Sequence, residues 1–166
     1  MTSPTRTSLL AFIIVVSFWL GCNGPTEPEY VSEVMTAKID GIRWNSTDEN
    51  QYFVYSYYDV DLQYLSIAAT KYGSSSKTEF ISIVVEPYST DTTYLLSNIC
   101  TGRFSKRSAN QIFTTTTNHT GFITIASLDT VARVASGTFA FSAIDSANKA
   151  VINVTDGRFR VLIGVD

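Results

Sequence analysis

The sequence predicts an all-β domain, and an antiparallel β-sandwich is the architecture we expect. From Val34 onward, apolar and polar residues alternate in short runs, and alternation with period two is typical of strands that bury one face. Clusters of Gly, Asn, Asp and Ser separate the runs, as turns require. Such strands must bury their apolar faces in two packed sheets or in one barrel, so a lipocalin-like β-barrel is the alternative.

Strands in the first half are expected over residues 34–40, 42–44, 51–58, 62–71, 78–86 and 92–96. Asp40-Gly41 is a turn sequence that joins the first two. The strand at 51–58 has aromatic residues on both faces, so the pattern does not orient it. Residues 101–110 collect three basic side chains and are expected to form an exposed loop.

Strands in the second half are expected over residues 111–117, 121–128, 133–144, 150–154 and 157–163. Alternation in the strand at 133–144 and in the last strand predicts that each buries one face. The residues expected inside are Phe139, Phe141, Ala143, Phe159, Val161 and Ile163, and those expected in water are Arg158 and Arg160.

Length and composition fit one domain of this kind. The chain has 166 residues, of which 45% are hydrophobic and 16% charged, and such a chain can offset the entropy that folding costs. Its formal net charge is −3. Nucleic-acid phosphates demand a clustered basic surface, so we expect no nucleic-acid partner.

Residues 1–21 have the pattern of an export signal. One cation, Arg6, precedes an apolar run at residues 9–20. A helix over that run would be about 18 Å long, which is short of the roughly 30 Å of a bilayer core. The segment is therefore expected to be a cleaved signal peptide rather than a membrane span.

Leu20-Gly21-Cys22 follows the apolar run and resembles the lipobox of bacterial lipoproteins, although Trp19 stands where that motif usually has an aliphatic residue. The resemblance implies that Cys22 carries diacylglycerol and a fatty acid such as palmitate, which anchor the chain to a membrane. A plain secretory signal is the alternative. Residues 22–33 then form a flexible tether, and residues 34–166 form the single β domain. Cys100 is left without a cysteine partner and is expected to be a buried thiol.

Four stretches carry a further resemblance. They read AKIDGIRW at residues 37–44, GFITIASLDT at 121–130, VASGTFAF at 134–141 and NVTDGRF at 153–159. Together they resemble a signature of small uncharacterised lipoproteins of the Bacteroidota, with its D-G-x-x-W opening and its S-G-T-F-x-F motif. The resemblance implies a lipid-anchored protein of the cell envelope, on the outer membrane, with an all-β domain of unknown function.

Reactive motifs do not emerge from the sequence. His119 is the single histidine, and its turn-like surroundings predict an exposed turn residue rather than a general base. No nucleophile elbow or zinc motif is present, and the acidic residues Asp48, Glu49, Asp59 and Asp61 fit no calcium loop. We therefore expect no enzyme, no metal and no cofactor, but a binding or structural module whose partner is another envelope component.

The tyrosine-rich strand supports an alternative function, a surface glycan-binding protein in nutrient capture. Rings on an exposed sheet face can stack on sugars or on another protein, so Tyr55, Tyr57 and Trp44 are candidate ligand-binding residues. Packing between strands is the competing interpretation.

Three Asp-Ser/Thr sequences complete the candidate sites. Asp91-Thr92-Thr93, Asp129-Thr130-Val131 and Asp145-Ser146-Ala147 resemble the acceptor pattern for O-glycosylation in envelope proteins of the same bacterial group. The resemblance implies that Thr92, Thr130 and Ser146 are modified and lie on the outer surface.

Overall fold

The computed structural model describes residues 34–46, 53–72, 78–88 and 92–165. The strands are β1 Val34–Ile39, β2 Ile42–Asn45, β3 Phe53–Asp59, β4 Tyr64–Lys71, β5 Glu79–Val85, β6 Thr93–Leu96, β7 Thr101–Lys106, β8 Gln111–Thr114, β9 Gly121–Asp129, β10 Val134–Asp145, β11 Val151–Leu162 and β12 Gly164–Val165. A 3₁₀ turn spans Arg107–Ala109. Within the described ranges, no helix has the length and apolar character needed to cross a membrane. The prediction of an all-β, antiparallel domain is confirmed.

The twelve strands belong to one hydrogen-bonded sheet that curls into a half-barrel, rather than to the two separate sheets of the expected sandwich. Its order is β12-β3-β4-β5-β7-β8-β10-β11-β1-β2, with β9 between β10 and β6. Neighbouring strands are antiparallel except β12, which runs parallel to β3. β10 connects two parts of the sheet, because its first part pairs with β9 and its last residues pair with β8. One part contains β3, β4, β5, β7, β8 and β12, and the other contains β1, β2, β6, β9 and β11.

Inward side chains from both halves meet in one core. The six residues predicted to lie inside on β10 and at the end of the chain are all buried, and Arg158 and Arg160 are exposed, as predicted. The largest buried side chain is Trp44, which is 1% exposed.

β10 and β11 place glycine and phenylalanine opposite each other twice. Gly137 pairs with Phe159, and Phe139 pairs with Gly157. A methyl group at Gly137 would lie 2.7 Å from the Phe159 ring, and one at Gly157 would lie 2.5 Å from the Phe139 ring. Each glycine therefore makes room for the ring opposite, which packs across the backbone where a Cβ would otherwise stand.

The Asp40-Gly41 turn is confirmed. Both residues have positive φ, 49° and 81°, as the type I′ turn of a two-residue hairpin requires. Asp40 also ties the hairpin to β11, since its carboxylate accepts the Asn153 N–H at 2.8 Å.

Two expectations were wrong. Residues 101–106 are a strand rather than an exposed loop: Arg103 faces water, whereas Phe104 faces inward and is fully buried. Phe104 is the only large apolar residue of this strand, so the sequence shows no alternation of apolar and polar residues there. Likewise, the strands expected at 150–154 and 157–163 are one strand, β11, because a bulge at Asp156 (φ 52°) absorbs the break in alternation.

Candidate functional site

The inner side of β3 fixes which tyrosines face outward. Val54, Ser56 and Tyr58 point toward the core: the Ser56 hydroxyl donates to the carbonyl oxygen of Leu162. The Tyr58 ring packs edge-on against Tyr88 at 5.4 Å. Because side chains alternate along a strand, Tyr55 and Tyr57 lie on the outside of the sheet.

Strand register places small side chains beside these two rings. Tyr55 lies opposite Ala68, which lies opposite Ser82, which lies opposite Arg103. Tyr57 lies opposite Ser66 in the next row. With strands about 4.8 Å apart, the tyrosines on β3 and Arg103 on β7 are separated by about 14 Å. We call this surface the tyrosine face; it consists of Tyr55, Tyr57, Ser66, Ser82 and Arg103, with Ala68 buried between Tyr55 and Ser82.

The two tyrosine rings of the tyrosine face differ in their exposure to solvent and in their contacts. Tyr55 is 54% exposed and so presents about half of its surface. Tyr57 is half-buried; its hydroxyl donates to Asp59 Oδ2 at 3.3 Å, and its ring lies 6.4 Å from the Tyr64 ring. The arrangement offers one accessible ring and one oriented ring beside the Ser66 hydroxyl, with the Arg103 guanidinium about 14 Å away on the same face. Rings, hydroxyl groups and guanidinium groups together bind polar ligands that have an apolar face.

Trp44 lies on the inner side of the sheet and is therefore not part of the tyrosine face. It lines a cleft of about 190 Å³ between the β1–β2 hairpin and the ends of β4, β5 and β7. The other lining residues are Ile39, Asp40, Ile42, Arg43, Lys71, Glu79 and Lys106. We call this space the Trp44 cleft. The sequence alone does not indicate this charged rim, because Lys71, Glu79 and Lys106 become neighbours only through the pairing of β4, β5 and β7.

The candidate O-glycosylation residues lie at strand ends and turns. Thr130 and Ser146 are exposed, whereas Thr92 is half-buried. The aspartates before them have a structural role: Asp129 Oδ1 accepts the N–H groups of Val131 and Ala132, and Asp145 Oδ1 accepts that of Ala147. The acceptor-like pattern therefore coincides with turns held by an aspartate. Asp91 and the lipidation residue Cys22 lie outside the described residues.

The remaining reactive side chains are held by neighbours. His119 is half-buried in a turn, where its Nδ1 lies 3.3 Å from Thr116 Oγ1. Cys100 is buried, as predicted, and its Sγ donates to the Glu86 carbonyl oxygen at 3.5 Å. Asp59 accepts the Leu62 N–H at 2.9 Å. In the part of the chain that the structure describes, no three His, Cys, Asp or Glu side chains are grouped to hold a metal; Asp48 and Glu49 lie outside that part.

An exposed ion pair marks the outer side of β1 and β11. Lys38 Nζ lies 2.8 Å from Asp156 Oδ2. The hydrogen bond from Lys38, followed by its charge, lowers the pKa of the Asp156 carboxyl below the ordinary 3.8. Both side chains are more than half exposed, so water and salt weaken the attraction.

Comparison with known proteins adds a family but no activity. No curated protein and no solved structure matches the chain. A family model described as Domain of unknown function (DUF6252) matches residues 32–162, which is most of the chain and includes every strand from β1 to β11. The chain therefore belongs to the DUF6252 family, whose domain has no known function.

Proposed function

We propose that this protein is a lipid-anchored, non-enzymatic binding module of the bacterial cell envelope, held at the outer membrane through Cys22. The observation that carries the proposal is the tyrosine face, which presents an exposed ring and a guanidinium on the same side of the sheet. Leu20-Gly21-Cys22 supplies the expected anchor. The partner is another envelope component, reached by a domain that stands off the bilayer.

The physical case for anchoring rests on the acyl chains and the tether. Each buried CH₂ contributes about 0.8 kcal/mol, so several chains hold a protein to a bilayer for much longer than one chain. The proposed tether, residues 22–33, lies outside the described residues; a flexible chain of twelve residues would have a root-mean-square length of about 20 Å. The domain then samples a layer close to the membrane, where a weak binding face meets its partner often.

The anchor can be tested with the two cysteines of the full-length chain. Cys22→Ala is expected to move the protein from the membrane fraction to the soluble fraction and to abolish labelling with radioactive palmitate. Cys100→Ala is the matched control, because it removes the other thiol and should leave both readouts intact. Retention of the Cys22→Ala protein in membranes, or an unacylated mature N-terminus by mass spectrometry, would contradict the proposal.

A glycan is the second candidate for the partner, and the exposure of Tyr55 favours it. The C–H face of a sugar ring packs on an aromatic ring, while its hydroxyl groups bond to polar neighbours. Ser66 supplies such a neighbour opposite Tyr57, and Ser82 and Arg103 lie further along the row of Tyr55, about 10 Å and about 14 Å from it. This makes the tyrosine face suited to a saccharide in nutrient capture.

A glycan array and a calorimetric titration test this version. For any glycan that binds, Tyr55→Ala should weaken binding by about tenfold, the loss expected for one stacked ring. Phe122→Ala is the control, since Phe122 is a similarly exposed ring, 47%, on the distant strand β9. Equal affinity of the Tyr55→Ala and wild-type proteins would remove the tyrosine face as the glycan site.

The non-enzymatic part has its own test. The full-length protein should show no turnover on a panel of glycoside, ester and peptide substrates. Turnover that is abolished by changing one acidic residue would overturn this part and leave the anchor proposal standing.

O-glycosylation at Thr92, Thr130 and Ser146 remains a proposal. Exposure of Thr130 and Ser146 supports it, because a transferase needs access to the hydroxyl. Mass spectrometry of protein from the native envelope should show a hexose-containing mass increment that Thr130→Ala or Ser146→Ala reduces; an unmodified mass would exclude it.

A further inference from the structure

The Trp44 cleft has the features of a second binding site, distinct from the tyrosine face. We infer that it binds the carboxylate of a small acidic ligand, such as a uronic acid. The inference rests on the proposal that the domain is a binding module and adds a ligand class and a location.

The cleft forms because three strands end in register at one end of the curled sheet. Lys71 pairs with Glu79, and Glu79 pairs with Lys106. This row stands two residues beyond the buried row that contains Ile81 and Phe104. Its side chains therefore extend the inner face to the mouth of the sheet, where charged groups can reach water. The Lys106 ammonium lies 5.7 Å from the centre of the Phe104 ring.

Trp44, one of the residues that line the cleft, carries a buried donor without a partner among the described residues. Trp44 is 1% exposed, and its indole N–H has no acceptor among the described residues. A buried donor without a partner is costly, and native proteins satisfy the great majority of such groups. An oxygen atom from a ligand would satisfy it.

The charges that line the cleft favour an anion. Lys71 and Lys106 lie on either side of Glu79 at the mouth of the cleft, whereas Arg43 is opposite Lys38 and follows the outer face of β2. Among the described residues, none of these groups forms an ion pair within 4.0 Å. Asp40 is already engaged by the Asn153 N–H. The Lys71 and Lys106 ammonium groups can both reach a ligand at this concave site, and a carboxylate accepts several hydrogen bonds at once.

The volume limits the size of the ligand. The 190 Å³ of the cleft equals about six water molecules at roughly 30 Å³ each, which is less than the usual site for a drug-sized compound. One sugar ring or a similar group fits this space. The flexible stems of Lys71 and Lys106 can swing toward a ligand in the cleft.

Trp44 provides its own reporter. The chain has two tryptophans, and Trp19 lies in the expected signal segment. In full-length protein carrying Trp19→Phe, emission excited at wavelengths that tyrosine does not absorb comes from Trp44 alone. Titration with galacturonate should change this emission saturably, more weakly at high salt, whereas galactose at the same concentrations should not. No change with galacturonate, or an equal change with galactose, overturns the inference.

Charge-removing variants assign the response to the cleft. Lys106→Gln is expected to weaken galacturonate binding by about fivefold or more. Lys149→Gln, the same change in an exposed turn outside the cleft, should bind as wild type. Lys71→Gln serves if circular dichroism shows that Lys106→Gln is misfolded. Equal binding by the cleft and control variants overturns the inference.

The result is separable from the proposed function. Tyr55→Ala removes the exposed ring of the tyrosine face and should leave the galacturonate response unchanged. A response lost in Lys106→Gln but kept in Tyr55→Ala supports the Trp44 cleft even if no glycan binds the tyrosine face. A response lost in Tyr55→Ala and kept in Lys106→Gln assigns binding to the tyrosine face and refutes the inference.

Discussion

Gly137→Ala is the sharpest test of how β9, β10 and β11 pack. A Cβ atom at position 137 would lie 2.1 Å from the carbonyl oxygen of Thr124 and 2.7 Å from the Phe159 ring. Real Cβ atoms essentially never approach another atom within 3.0 Å. The nearest atom belongs to the backbone of β9, so rotation of a side chain cannot relieve the clash.

The magnitude follows from that geometry. The backbone of β9 or β10 must move by about 0.9 Å, the difference between 3.0 and 2.1 Å, at a place where the two strands already change register. Overpacking in a core costs about 1–3 kcal/mol, and a clash with backbone belongs at the upper end. We therefore expect Gly137→Ala to lower the free energy of unfolding by about 3 kcal/mol and Tm by about 10 °C.

Urea unfolding followed by circular dichroism measures this loss. The matched control is Gly164→Ala, whose Cβ would meet its nearest atom at 3.7 Å, an ordinary contact. Gly164 does not have the positive φ that would strain an alanine. The control should change stability by less than about 0.5 kcal/mol, or raise it slightly by restricting the unfolded chain. A Gly137→Ala protein as stable as the control would refute the packing described for β9 and β10.

Two further predictions concern single contacts. Thr115→Val should cost about 2–4 kcal/mol in urea unfolding, because the buried Thr115 hydroxyl donates to the Ser97 carbonyl oxygen at 2.6 Å and accepts the Gly102 N–H at 3.1 Å. Valine fills the same volume, so a loss below 0.5 kcal/mol would mean that these bonds are not made. Lys38→Gln should raise the pKa of Asp156 toward 3.8, as measured by carboxyl NMR titration. Because the folded pKa is lowered, the pair stabilises the fold above the unfolded pKa of Asp156 and loses its effect as pH falls through the folded pKa. An Asp156 titration that the variant leaves unchanged would contradict the ion pair.

The local sequence pattern was sufficient to predict which side chains are buried where one face of a strand is purely apolar. Phe139 and Phe141 alternate with smaller or polar residues, so the sequence alone predicts their burial. Asp40-Gly41 likewise predicts its turn, because few other residues adopt positive φ in succession.

Other features depend on partners that are distant in the chain. β3 has rings on both faces, and only the bond from Ser56 to Leu162 and the packing of Tyr58 on Tyr88 decide its orientation. In β7, Phe104 is the only large apolar residue that marks the inner face of the strand. The Trp44 cleft requires the register of three strands together with a hairpin from the start of the domain. The pairing of strands that are distant in the chain determines these three features, and local periodicity does not reveal that pairing.

The parallel pairing of β12 with β3 has a practical consequence for handling this protein. Gly164 lies beside Tyr57, and Leu162 holds Ser56, so a purification tag or fluorescent label joined just after β12 would pull on the very strand that carries Tyr55. The turn between β9 and β10 is a safer attachment point, since Val131 there is 94% exposed and belongs to neither proposed binding surface.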